Sequence, residues 1–284
     1  MSFGDHDALP ASRGLAAEYD AARFSGPLRD VLIAYRMLRK RGLHEVAAHA
    51  GKIALMRVHV ALFDQALESR LPRAPRGEAP REATELRTVM PREVDAAIGH
   101  APVPSKSMEW ALLGLSINFR DYDFVDIGSG RGCAVVRAAM LPFKRVIGVE
   151  FAEAYHHDAC VNTAWARDNG LVCAGSVELR HQSALETELP FGPCILFLFA
   201  PFRDVVMRPF LDRVDASVRQ NPRPMIAVYV NPMASGAFSR PTIVKRPLAW
   251  RYRALIAMLS PHAVEVYSWK APEITITSTH AGLD

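Results

Sequence analysis

From about residue 104 onward, short β-rich runs alternate with helix-length segments, and this alternation limits the fold more than any other feature of the chain. The runs are DFVDIG, RVIGVEF, VELRHQ, CILFLFA and MIAVYVN, followed by VEVYSW and ITITST. Helix-length segments lie among the first five. Cys133–Met140 is stopped by Pro142, Glu153–Asn169 is closed by Gly170, and Val205–Gln220 is expected to break at Pro209. Strands joined through helices make right-handed crossovers, which build a parallel sheet covered on both faces. The last two runs break that rule. Only KAPE separates them, too short for a parallel crossover, so they are expected to form an antiparallel hairpin. Residues 101–284 therefore read as one α/β domain, a seven-stranded and mostly parallel sheet closed by an antiparallel hairpin.

The part before it is different in kind. Residues 1–26 are polar and read as loosely ordered, and residues 27–100 read as a helical region. GPLRDVLIAYRMLRKRG stops at Gly42, and Val46, His49, Ile53, Met56, Val60, Phe63 and Leu67 then recur at spacings of three and four. That continuous apolar face could cap the α/β domain or pair with a second copy to give a homodimer; His49 on it reads as a packed histidine. LPRAPRGEAPR, residues 71–81, reads as a proline-rich linker without core-forming content.

Composition narrows the class. With 284 residues, half of them hydrophobic, the chain suits one large domain with an appendage. A net charge of +4 is modest, so nucleic acid is not expected as a partner. The four cysteines, Cys133, Cys160, Cys173 and Cys194, form no CxxC pair and read as reduced, partly buried thiols. No run approaches the roughly 18 apolar residues of a membrane span, and the first residues lack a signal pattern. A cytoplasmic protein away from the membrane is expected.

The first strand runs into Gly128, Gly130 and Gly132, spaced GxGxG. Glycines serve where a main chain turns sharply and a ligand must approach it. The helix that follows presents free N–H groups and the positive end of its dipole. A dinucleotide fingerprint, GxGxxG, would carry its third glycine where this chain has Cys133. Asp126 stands two residues before Gly128, where a carboxylate can meet an amino group. NAD offers no aliphatic ammonium, whereas S-adenosylmethionine does. Glu150 closes the second strand, where a carboxylate can accept both hydroxyls of a ribose; that specifies a ribose but not which nucleoside.

FVDIGSGRG and LPFKRVIGVEF resemble motif I and the following acidic motif of class I S-adenosylmethionine-dependent methyltransferases. With PSKSMEWALLGLSINFRDYD, LFLFAPF and NPRPMIAVYVNP, the similarity extends from about Pro104 to Asn231. It is greatest to a mostly uncharacterised bacterial group related to the non-SET histone-lysine methyltransferases. The resemblance implies a Rossmann-like methyltransferase sheet and S-adenosylmethionine as cofactor, with S-adenosylhomocysteine as product and no metal. Carried over by position, Asp126, Gly128, Ser129, Gly130 and Gly132 would line the methionine and ribose side. Glu150 would hold the ribose, Phe151 would pack on the adenine, and Ser105 would meet the cofactor carboxylate. Phe199 would complete the cofactor site. After the third strand the family usually carries an acid for the adenine amino group; here Gln182 and Ser183 stand in its place, and either can accept that hydrogen bond. Cys133 stands where a basic residue is common.

Methyl transfer from a sulfonium is an in-line displacement, so alignment can supply most of the catalysis. A base is needed only when the nucleophile starts protonated. Substrate contacts are expected from Ala200, Pro201, Phe202 and Asn231, at the carboxyl ends of the fourth and fifth strands. Ala200 stands where amino-group methyltransferases often place Asn or Asp, which argues against an adenine-N6 acceptor. No catalytic residue is assigned. Arg240, Lys245 and Arg246, in the long connection 231–247, would suit an acidic or phosphorylated substrate, against the plainer reading of a solvated loop. YHHD, Tyr155–Asp158, lacks a spaced partner for a metal set and reads as structural.

The function expected is methyl transfer to an O, N or S nucleophile of a small molecule or of a peptide or protein side chain. The alternative is a sensor or scaffold that binds S-adenosylmethionine and transfers nothing. Nicotinamide-dependent reduction is disfavoured by the glycine spacing and the terminal hairpin.

Overall fold

The computed structural model describes residues 105–270, the short stretch 70–73, and the helical residues Gly51 and Ala54. The chain divides into two units, Met1–Val58 and His59–Asp284, and everything below concerns the second. The polar N-terminus, the apolar stripe from Val46 to Leu67 with its capping or dimerising role, most of the 71–81 linker and the ITITST run fall outside the described residues.

Seven strands form a single sheet in the order β3-β2-β1-β4-β5-β7-β6. They are β1 Asp123–Ile127, β2 Arg145–Glu150, β3 Val177–His181, β4 Cys194–Phe199, β5 Met225–Val230, β6 Ile243–Lys245 and β7 Val264–Trp269. The first five pair in parallel, and β7 runs antiparallel to both β5 and β6. The helices are α1 Ser105–Leu113, α2 Cys133–Ala139, α3 Glu153–Asp168, α4 Asp204–Gln220 and α5 Trp250–Leu259.

The chain builds the sheet outward from β1 in both directions. The steps β1-α2-β2 and β2-α3-β3 move one way and β4-α4-β5 the other. Right-handed crossovers therefore put α2 and α3 on one face and α4 on the opposite one. Two buried clusters show this division. Phe124, Val146, Ile195, Phe197 and Val228 pack under α1, α2 and α5. Val125, Ile147, Leu196, Leu198 and Ala227 pack under α4, whose Val206, Met207, Phe210, Leu211, Val214 and Val218 are all buried. The strand order reverses between β1 and β4, and that reversal opens a crevice at their carboxyl ends.

The structure departs from the sequence-based expectations in several places. α4 is continuous over 17 residues through Pro209; its long buried stripe offsets the roughly 3 kcal/mol that an interior proline costs. VEVYSW, which is β7, lies between β5 and β6, a three-residue strand within the stretch read as an open connection. α5 lies between β6 and β7 in the chain, so they are antiparallel neighbours without a tight turn. The three cations of that stretch are all engaged. Arg240 pairs with Asp212 and Asp215, Lys245 with Glu265, and Arg246 donates to the Leu115 carbonyl. Leu71, within the linker said to lack core-forming content, is 4% exposed and packs on Cys133, Val136 and Ala166. None of the four cysteines forms a disulfide; Cys133 and Cys194 are buried and Cys160 and Cys173 exposed.

Asp215 anchors the last strands to α4. Its Oδ1 accepts from Trp269 Nε1 at 2.7 Å and from Thr242 Oγ1 at 3.0 Å, and its Oδ2 pairs with Arg240 at 2.9 Å. Asp215→Ala strands these three donors in a half-dry site. It is expected to lower stability by about 3 kcal/mol in urea unfolding, with ligand binding at the far edge of the sheet unchanged.

Candidate functional site

The carboxyl end of β1 leads straight into the glycine turn, where Gly128, Gly130 and Gly132 all take positive φ (75°, 52° and 76°). At Gly128 an added Cβ would sit 3.0 Å from Pro201 Cβ, so the turn after β1 and the turn after β4 touch across the crevice. Gly132 is the N-cap residue of α2 and faces α3, where a Cβ would lie 3.0 Å from that of Ala159. Close helix packing accounts for this third glycine. The turn is held from beneath by main-chain bonds from Gly128 and Ser129 to the Val149 carbonyl, both 2.9 Å.

Glu150 completes the support. It is 4% exposed, and its two oxygens accept from Gly130 N at 2.8 Å and Ala152 N at 2.9 Å. Each oxygen keeps a further lone pair. Burial pushes its carboxyl up, opposed by these backbone hydrogen bonds. Asp126 lies beside it on the same face of the sheet, 3% exposed. Burial and the neighbouring Glu150 push its carboxyl up to about 8. Among the described residues no hydrogen bond reaches the Asp126 carboxylate, and the buried hydroxyl of Ser129 has no partner. Two buried acids without a cation, together with a free hydroxyl under three left-handed residues, fit a ligand that carries an ammonium and hydrogen-bonding groups. S-adenosylmethionine is such a ligand.

Beside this pair an open cleft is lined by Gly128, Val149, Phe151, Gln182, Ser183, Ala184, Pro201, Phe202 and Val206. Six of the expected site residues thus share one cleft: Gly128, Phe151, Gln182, Ser183, Pro201 and Phe202. The sequence reading did not single out Val149, Ala184 and Val206, which carry no chemistry and occupy unremarkable positions in apolar runs. The His181 ring hydrogen-bonds the Phe151 carbonyl through Nε2 at 3.0 Å and stacks on His156 at 5.3 Å. The Phe151 main chain is therefore fixed at the rim. Phe202 also meets Phe210 edge-on and belongs to the core under α4. Phe199 turns to the opposite face, against the edge of the His262 ring. Ser105 is the first residue of α1; the Ser107–Ser260 hydrogen bond, 2.7 Å, ties that end of the helix to the loop before β7.

Ala200 and Asn231 stand at the ends of adjacent strands, β4 and β5. Both are left-handed, with φ of 40° and 51°. Such conformations cost about 1–3 kcal/mol in a non-glycine residue and cluster at functional sites. Their N–H groups are taken by the carbonyls of Val230 and Ala263. Among the described residues no group of three His, Cys, Asp or Glu side chains is placed to hold a metal.

No protein-family model matches the chain, and no curated protein matches it in sequence. Solved structures do. An RNA methyltransferase from Salinibacter ruber, in complex with S-adenosylhomocysteine, is 20% identical; the match covers 61% of this chain and 94% of that one, with a TM-score of 0.37. A predicted N6-adenine-specific DNA methylase from Listeria monocytogenes is 15% identical over 62% of this chain and 53% of its own, with a TM-score of 0.42. A ribosomal protein L11 methylase from Lactobacillus delbrueckii is 14% identical over 62% and 82%, with a TM-score of 0.39. The likeness is one of fold, and the five parallel strands with their antiparallel end form the mostly parallel mixed sheet expected from sequence. One expectation is corrected. Nucleic acid was not expected as a partner, yet enzymes of RNA and DNA are among these neighbours. A net charge averaged over a whole chain does not describe the surface around one cleft.

The raised carboxyl of Asp126 has a consequence for stability. Its folded-state value lies above the unfolded one, so the stability tied to its protonated form is full at low pH and is lost as pH rises from about 4 through about 8. Asp126→Asn is therefore expected to raise the melting temperature by several degrees at pH 8 and by little at pH 5, as read by thermal unfolding at both pH values.

Proposed function

We propose that the protein binds S-adenosylmethionine at the turn after β1 and transfers its methyl group to an acceptor held over the ends of β4 and β5. The observation that carries this reading is the buried pair Asp126 and Glu150 beneath a left-handed glycine turn, at the reversal of strand order. Asp126 would meet the ammonium of the cofactor. The spare lone pairs of Glu150 would accept the ribose hydroxyls, and the Ser129 hydroxyl would gain a partner. Phe151, Val149 and Ala184 would enclose the adenine, with Gln182 or Ser183 accepting from its amino group. The bound cofactor supplies an electrophilic methyl on a sulfonium. The chain's own part is to hold the acceptor in line and exclude water, which alignment alone can make effective.

On the acceptor side, Pro201 and Phe202 form an apolar wall. The left-handed Ala200 and Asn231 turn the main chain there; the Asn231 carbonyl already accepts from Met233 N, so the Asn231 side-chain amide is the polar group that would orient an acceptor. The acceptor atom is an O, N or S of a small molecule, of a peptide or protein side chain, or of a nucleic acid. Resemblance favours the group related to the non-SET histone-lysine methyltransferases. A second reading, binding without transfer, is favoured by one observation: Ala200 gives the strand end no side-chain group to engage a nucleophile. Free exposed thiols at Cys160 and Cys173 fit a reducing compartment such as the cytoplasm.

Calorimetry tests the site. The wild type is expected to bind S-adenosylmethionine and S-adenosylhomocysteine with micromolar Kd and to bind no NAD. Gly130→Arg, placed at a buried left-handed residue, is expected to lose both sulfur ligands. Because the ammonium pairs with charged Asp126, binding below pH 8 is expected to release a proton, and affinity to rise by up to about tenfold per pH unit toward pH 8. Heats compared in buffers of different ionisation enthalpy read that proton. Failure of the sulfur ligands to bind would overturn the reading. Binding without turnover across an acceptor screen that includes RNA, DNA and protein extracts would select the second one.

A further inference from the structure

Residues 70–73 lie more than thirty positions before the sheet begins, yet they are docked directly behind the glycine turn. Asn162, on α3 and fully buried, makes the connection. Its Oδ1 accepts from Arg73 N at 3.0 Å, and its Nδ2 donates to the Arg73 carbonyl at 3.1 Å. The same Nδ2 donates to the carbonyl of Arg131 at 2.9 Å. Arg131 lies between Gly130 and Gly132, so one side-chain amide holds both the strap and the turn. Two further contacts reinforce it. Asp158 pairs with the Arg131 guanidinium at 2.9 Å and lies 3.7 Å from that of Arg73. Leu71 packs against Cys133, the first residue of α2, and against Val136 and Ala166.

We infer that Asn162 is a positioning residue for the cofactor turn and that the strap 70–73 is a working part of that site. The inference rests on the cofactor reading above. A carbonyl inside a turn of left-handed glycines has little to hold it, since glycine restricts its own backbone least. Asn162 fixes the Arg131 carbonyl from α3, as Glu150 holds Gly130 N from the end of β2. The amide that does so is itself oriented by two bonds from the strap. Undocking the strap frees Asn162 to rotate, and the turn loses its support from α3. Strap docking and ligand binding are therefore coupled, and the coupling is reciprocal.

The test uses the full chain and three variants: Asn162→Leu, which keeps the volume and removes the amide; Leu71→Ser, which undocks the strap and leaves Asn162 in place; and Leu71→Met, which keeps the apolar contact. Hydrogen exchange of amides 129–133 is measured without ligand, and S-adenosylhomocysteine affinity by calorimetry. The first two variants are expected to speed exchange in the turn about tenfold and to raise Kd by about tenfold, inside the roughly 5- to 150-fold span of such couplings. The double variant is expected to lose no more than the worse single one, because both cut one connection. Leu71→Met is expected to behave as wild type, and bound ligand to protect the Arg70 and Arg73 bonds from trypsin. Leu71→Ser that opens those bonds to trypsin, yet leaves exchange in the turn and Kd unchanged, would overturn the inference. This variant carries the test even if Asn162→Leu fails to fold. A wild type that binds no S-adenosylhomocysteine, with exchange in the turn still raised by Leu71→Ser, would refute the cofactor reading and uphold the strap.

Discussion

The Glu150 carboxylate is the joint on which the ligand edge of this sheet depends. It ends β2 and accepts one N–H from the glycine turn and one from the start of the segment leading into α3. Without it, Gly130 would be a left-handed residue with a buried, unsatisfied donor, and only the two main-chain bonds to Val149 would hold the turn to the strand ends. Burying a carboxylate is costly, and two charge-assisted bonds offset that cost only in part. The carboxyl remains pushed up, and its field pushes up Asp126 next to it. The sheet thus carries, at its most ordered edge, two acids that would each be more stable in water.

Under the proposed function, that arrangement is stability given up for binding. A buried acid with no hydrogen bond is among the less favourable features a core can contain. Asp126 sits where an apolar residue would pack on the layer that holds Phe124 and Phe197. The fold tolerates it because the parallel strands around it are wholly buried and continuous. β1, β4 and β5 have almost no exposed residue between them, so the apolar burial they supply is large compared with one desolvated carboxyl. Sites of this kind are where sequences are expected to break local packing rules.

The central sheet was legible because its signal is redundant. Each of β1, β2, β4 and β5 is a short apolar run bounded by turn residues, and the helices between them have clear stops. Both acids and the glycines were legible for the same reason, as polar or flexible residues in places where a strand would not otherwise carry them. What could not be read depends on contacts distant in sequence. β6 has three residues, two of them exposed, and only its pairing with β7 makes it a strand. Arg240 looked available because Asp212 and Asp215 lie on another element. Leu71 looked like linker because the residues it meets follow it by 62 positions or more. Pro209 suggested a break because the packing of α4 that tolerates it is tertiary.

The edge proposed for the acceptor follows a different logic from the edge proposed for the cofactor. Under the turn, side chains would do the recognising: Asp126, Glu150 and Ser129 each offer a polar atom. At the ends of β4 and β5 the two strained residues, Ala200 and Asn231, have their N–H groups bound to neighbouring main chain. Two left-handed non-glycine residues on adjacent strands place the following peptides at angles that ordinary strand exits do not reach. Strain of that size persists only where surrounding bonds over-determine it. Here it turns the chain to leave Pro201 against Gly128 and closes the cleft at the point where the two turns touch. On the proposed reading, an acceptor entering there would meet an apolar wall and the Asn231 amide, with the described cations of the neighbouring connection already engaged. Selection at this edge would then rest on shape and on hydrogen bonds to the Asn231 amide, and a charged partner would be recognised by surfaces farther from the cleft.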